Sequence, residues 1–78
     1  MTMYVLQIGI PTFDEQYLDV NYYPLDNNLK SYIENIIFLD DHIQINVKDI
    51  SDDDIQNLVR GIAPTFPDKQ IRWSKITN

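Results

Sequence analysis

Ser51-Asp52-Asp53-Asp54 sets three consecutive carboxylates directly behind a serine. Such a run can start a helix, hold a hard cation or face a basic partner. With Ser51 as N-cap, the three aspartates occupy the first helical turn, where unpaired N–H groups and the positive dipole end favour negative charge. Ser51 and Asp54 then stand as a capping box with aspartate in the usual glutamate position, and Ile50 and Ile55 stand as a hydrophobic staple. Asp52 and Asp53 need not bond the backbone. With Asp49 they are expected to form an acidic surface that binds a partner.

Cation binding fits the run poorly, because a calcium loop needs oxygen ligands at alternate positions, a glycine and a distal glutamate, and that register is missing. Asp40 and Asp41 add two carboxylates before a strand that Asp49 follows. Seven extended residues hold Asp41 and Asp49 roughly 20–27 Å apart, so the two acidic groups belong to opposite ends of the sheet.

Asp41 and His42, the sole histidine, are a conceivable acid–base pair. Nucleophilic or acid–base chemistry needs a further group converging on the histidine, and Ser31, Ser51 and Ser74 sit in no motif that supplies one. The chain has no cysteine and two glycines, Gly9 and Gly61. Thiolate chemistry and cysteine metal sites are therefore absent, and no phosphate loop or dinucleotide fingerprint can be built. The expectation is a non-enzyme without metal or cofactor.

Five tyrosines in 78 residues favour protein recognition, since tyrosine offers a rigid surface with a polar tip. Tyr17 and Tyr23 bracket Asp19 and Asn21, and Tyr17, Asp19 and Tyr23 join the expected partner-binding set. Lys48 and Arg72 beside Tyr17 and Tyr23 bear a superficial likeness to an aromatic RNA-binding sheet, but the glycine-and-aromatic signature is missing. Twelve acidic against six basic residues give a net charge of −6, which repels nucleic acid and attracts a basic partner.

Hydrophobic periodicity supplies the elements that position these groups. Met3 to Ile10 is apolar on nearly both faces and reads as a buried strand ended by Pro11. Tyr17 to Tyr23 alternates, with Leu18, Val20 and Tyr22 inward and Tyr17, Asp19, Asn21 and Tyr23 outward, as a second strand. Asp26 or Asn27 caps a helix whose stripe is Leu29, Ile33, Ile36 and Ile37. His42 to Lys48 is the clearest strand. Ile55, Leu58, Val59 and Ile62 make the second helix, which Pro64 stops, and Gln70 to Ile76 closes the chain as a strand with Trp73 as core anchor.

The fold expected is α+β: a two-layer sandwich in ββαβαβ order, with a mixed four-stranded sheet and both helices on one face. Right-handed crossovers would set the last three strands parallel and the first reversed. Residues 1–78 form a single small domain, large enough for one core and too small for a deep enzyme pocket. No run approaches the ~20 apolar residues that span a bilayer, and the N-terminus lacks a signal-peptide pattern. Both point to a soluble cytoplasmic protein.

The expected function is a small acidic protein-binding module, an inhibitor or neutraliser of the anti-defence, immunity or antitoxin kind. It would mask a basic, nucleic-acid-binding surface of a partner protein without binding nucleic acid itself. The alternatives are a self-associating module, such as a homodimer, or a small-molecule-binding regulatory domain.

Overall fold

The computed structural model describes residues 2–10 and 12–77. Pro11, expected to end the first strand, lies outside the described residues. Strand β1 spans Thr2–Gly9 and is followed by two 3₁₀ turns, Glu15–Leu18 and Val20–Tyr22. Helix α1 is Asn27–Ser31, strand β2 Ile33–Phe38, strand β3 His42–Lys48 and helix α2 Asp52–Ile62. A third 3₁₀ turn, Ala63–Thr65, precedes strand β4, Ile71–Thr77.

Two segments differ from the sequence expectation. Tyr17–Tyr23 is not a strand, because its polar residues satisfy the backbone locally. The Asp19 carboxylate accepts from the Asn21 N–H at 2.9 Å, and the Tyr17 N–H donates to the Asp14 carbonyl at 3.1 Å. Short polar side chains that bond nearby backbone favour turns over ladders. The expected long helix stops at Ser31, and Ile33–Phe38 extends instead. β-branched Ile33, Ile36 and Ile37 suit a strand, and pairing with β3 supplies the hydrogen bonds the helix would have made.

The sheet order is therefore β2-β3-β1-β4, with every neighbouring pair antiparallel, rather than the mixed sheet expected. β2 and β3 form a hairpin around Asp40-Asp41, closed by the Leu39 N–H donating to the His42 carbonyl at 2.9 Å. β1 to β2 and β3 to β4 each skip one strand. This is the split β-α-β path of ferredoxin-like chains, with the first helix reduced to one capped turn after two 3₁₀ turns.

One face of the sheet holds the core. Tyr4, Leu6 and Ile8 of β1 and Ile43, Ile45 and Val47 of β3 meet Ile55, Leu58 and Ile62 of α2, joined by Tyr23, Leu25, Ile50 and Phe66. Leu29 of α1 packs against the same cluster, so both helices lie over one face. The radius of gyration, 11.6 Å, matches the roughly 11.5 Å of a close-packed chain of this length. Trp73 lies opposite Leu6 yet is 44% exposed, not a core anchor, because β4 is the sheet's margin.

The start of α2 follows the expected chemistry. Ser51 Oγ accepts from the Asp54 N–H at 3.1 Å, and Ile50 and Ile55 are both buried. Ser51→Ala should cost about 0.5–2 kcal/mol, read as a lower denaturant midpoint with unchanged slope. A change below a few tenths of a kcal/mol would show that the aspartates start the helix without the serine.

Candidate protein-binding surface

The junction of β3 and α2 concentrates negative charge. Asp49 makes the turn with φ of 60°, a left-handed conformation that aspartate tolerates better than most side chains. Asp49 and Asp53 are exposed, and neither carboxylate has a hydrogen bond or ion pair among the described residues.

Asp52 is occupied differently. The Tyr4 hydroxyl donates to Asp52 Oδ1, and Lys75 Nζ donates to Oδ1 at 3.1 Å and to Oδ2 at 3.4 Å. Lys75 Nζ also lies 6.0 Å from the centre of the Tyr4 ring. The first turn of α2 is thereby tied to β1 and β4. The Tyr4 bond and then Lys75 hold the Asp52 carboxyl below its ordinary range, and Asp52 in turn raises the Tyr4 hydroxyl and the Lys75 ammonium. Asp52 thus spends its charge within the chain, which leaves Asp49 and Asp53 as the carboxylates of this corner without a hydrogen bond or ion pair among the described residues.

A carboxylate with a depressed folded pKa contributes stability above its unfolded value, near 3.8 here, and loses it as pH falls towards the folded value. Asp52→Asn should therefore flatten the acid limb of the stability profile as pH falls below about 5. Urea midpoints across that range test this. Parallel profiles for wild type and variant would remove Asp52 from the acid response.

Asp54 donates its backbone N–H to the cap, while its carboxylate accepts from the Tyr32 hydroxyl at 3.4 Å. The reciprocal half of the capping box is thus replaced by a bond to the residue before β2.

The tyrosine group is rearranged by the 3₁₀ turns. Tyr23 is 1% exposed, and its hydroxyl donates to the Tyr17 carbonyl at 2.6 Å, so in this conformation it offers nothing to a partner. Burial pushes its hydroxyl pKa well above the ordinary 10. Tyr17 is half-buried against Phe66, with ring centres 5.3 Å apart. The outward side chains are Leu18 and Tyr22, at 39% and 45% exposure, beside Glu15 and Asp19. Sequence alternation placed those two inward. Asp14 and Asp19, each heading a short turn, were the local signal for the opposite arrangement.

The register sets Asp41 and Asp49 at opposite ends of β3, since His42 pairs with Gly9 and Lys48 with Met3. At the Asp41 end, Asp41 Oδ1 lies 2.8 Å from His42 Nδ1, and this bond holds the Asp41 carboxyl low. A shallow recess of about 500 Å³ opens over Gly9, lined by Gln7, His42, Asp68, Lys69 and Arg72 among others. Its lining has no hydroxyl or thiol for the Asp41–His42 pair to activate. Among the described residues, no three His, Cys, Asp or Glu side chains converge as metal ligands. Among them too, no helix is long and apolar enough to cross a membrane.

The uncovered sheet face carries amides in place of aromatics. Gln44 donates to Asn46 at 3.1 Å, and Asn46 donates to Asn35 at 2.6 Å. Lys48 and Arg72 flank this row. No protein-family model, curated protein or solved structure matches the chain. A ferredoxin-like path hosts many unrelated activities and assigns none by itself. What distinguishes this chain is its charge geometry: unmatched acids at the β3–α2 corner and along the 3₁₀ turns, with Lys48 and Arg72 on the sheet.

Proposed function

We propose that the protein is a binding module that sets its carboxylates against a basic surface of a partner protein and masks it. The observation that carries this reading is the division of labour in the acidic run. Lys75 neutralises Asp52, while Asp49 and Asp53 are exposed and unmatched on a chain of net charge −6. Burying or pairing every acid would have sufficed for folding. The surplus raises the local concentration of a cationic surface and speeds encounter with it.

Leu18 and Tyr22, with Glu15 and Asp19 around them, add a second surface on which an apolar anchor sits among acids. That combination suits a partner whose basic groove also offers an apolar pocket, since aromatic anchors carry much of the energy of an interface. The partner surfaces that fit are those built for nucleic acid, with carboxylates taking the place of phosphates.

The test is affinity capture from the native host's lysate, with retained proteins eluted by increasing salt. The expected result is a basic protein whose retention falls steeply as the Debye length shrinks from about 10 Å at 0.1 M to about 3 Å at 1 M salt. A partner held independently of salt, or no basic partner, would overturn the electrostatic reading.

A further inference from the structure

The two edges of the sheet are treated differently. β2 has a bulge between Ile33 and Asn35, Phe13 stacks edge-on against Phe38 with ring centres 5.2 Å apart, and the first 3₁₀ turn packs along the strand. Bulges and covering segments are the usual means of blocking edge-to-edge pairing. Among the described residues, β4 has neither a bulge nor a stacked aromatic cover. It pairs with β1 without a register break over seven residues and contains neither proline nor glycine. Every residue from Arg72 to Ile76 is exposed, including Trp73 at 44% and Ile76 at 45%. A straight edge with two large apolar side chains is a surface that another strand can complete, provided the register accommodates its charges, Arg72 and Lys75.

We propose that β4 pairs antiparallel with β4 of a second copy about a two-fold axis at Ser74, the midpoint of Ile71–Thr77. The side-chain pattern fits this register. Trp73 falls opposite the partner's Lys75, and Arg72 falls opposite the partner's Ile76. Each cation thus meets an aromatic or aliphatic surface, and no like charges stand directly opposed. Shifting the axis by one residue towards the C-terminus would set Lys75 against its own copy. Lys75 is also charge-matched within its chain by Asp52, which removes the local obstacle to bringing two basic edges together.

The result is an eight-stranded antiparallel sheet of order β2-β3-β1-β4-β4-β1-β3-β2. An axis normal to the sheet keeps both helical layers on the same side, so the two acidic corners are displayed together. This pairing stands on the edge geometry alone and is independent of the masking function. Its salt response is opposite in sign. Two chains of charge −6 repel each other, so added salt strengthens the dimer while weakening a complex with a basic partner.

The chain lacks cysteine, so Ser74→Cys introduces a single thiol at the axis. Directly opposed residues in an antiparallel pair have Cα atoms about 4.5–5.5 Å apart, within disulfide range. Under mild oxidation, Ser74→Cys should form a covalent dimer at least about tenfold faster than Ile37→Cys, whose thiol lies on the opposite edge strand and serves as the random-collision reference. Light scattering of the unmodified chain should show a concentration-dependent rise to twice the monomer mass. Ser74→Lys, which opposes two ammonium groups at the axis, should abolish that rise with unchanged circular dichroism, and its thermal midpoint should match that of the unmodified chain at concentrations where the latter is monomeric. Equal oxidation rates for the two cysteine variants, or a monomer persisting to about 1 mM, would overturn the proposal.

Discussion

Tyr23→Ala should leave little folded protein at room temperature, whereas Tyr23→Phe should fold normally with a reduced midpoint. Tyr23 is 1% exposed and packs against Phe66, with ring centres 6.1 Å apart. Truncating a buried aromatic costs about 3–5 kcal/mol, and a single core of this size supplies only about 3–5 kcal/mol of net stability. The phenylalanine variant keeps the ring and loses only the hydroxyl that donates to the Tyr17 carbonyl, worth about 1 kcal/mol. Denaturant titrations of the two variants separate packing from the hydrogen bond. A folded Tyr23→Ala with intact stability would place this ring outside the core.

The same residue sets an alkaline limit. A tyrosine whose folded pKa is raised contributes stability that is fully present below its ordinary value near 10 and is lost as pH rises towards the folded value. Above pH 10, unfolding should therefore gain up to about 1.4 kcal/mol per pH unit from this group, and Tyr23→Phe should remove that contribution. Tyr4 is shifted in the same direction by its bond to Asp52, so the variant's profile should flatten without becoming level.

These residues also show where sequence reading succeeds and where it cannot. β3 and α2 were legible because Ile43, Ile45 and Val47 fit a period of two and Ile55, Leu58 and Ile62 a period near 3.6, with a serine cap at the right position. Ile33, Ile36 and Ile37 satisfy a helical stripe and β preference at once. The decision between them came from β3, whose pairing is a tertiary fact. Tyr17–Tyr23 alternated like a strand, but Asp19 capturing the Asn21 N–H curled it and reversed which side chains face the core. In the acidic run, the separation of helix-starting from surplus carboxylates was readable as a principle. Its assignment was not. Tyr4 and Lys75, the partners that claim Asp52, stand 48 and 23 residues away and are brought to it only by the sheet order.

That reassignment sharpens the test of the acidic surface, because the variants can be chosen so that folding and binding respond separately. Asp49→Asn keeps a side chain that tolerates the left-handed turn while removing one charge. Asp53→Lys reverses a charge that pairs with nothing among the described residues, and its cost at the helix start is about 0.6–2 kcal/mol, twice that of a single charge. Together they raise the net charge from −6 to −3. Association with a basic partner should slow by about one to two orders of magnitude at low salt, mostly in the on-rate, and the difference should shrink as salt rises. Asp52→Asn should act mainly on folding, because it disturbs the Tyr4 and Lys75 contacts and acid stability, and any slowing of association it causes measures how far a matched charge still contributes. Stopped-flow association at two salt concentrations distinguishes these outcomes. If the Asp49 and Asp53 pair binds as the wild type does, the carboxylates at this corner serve the helix and nothing else.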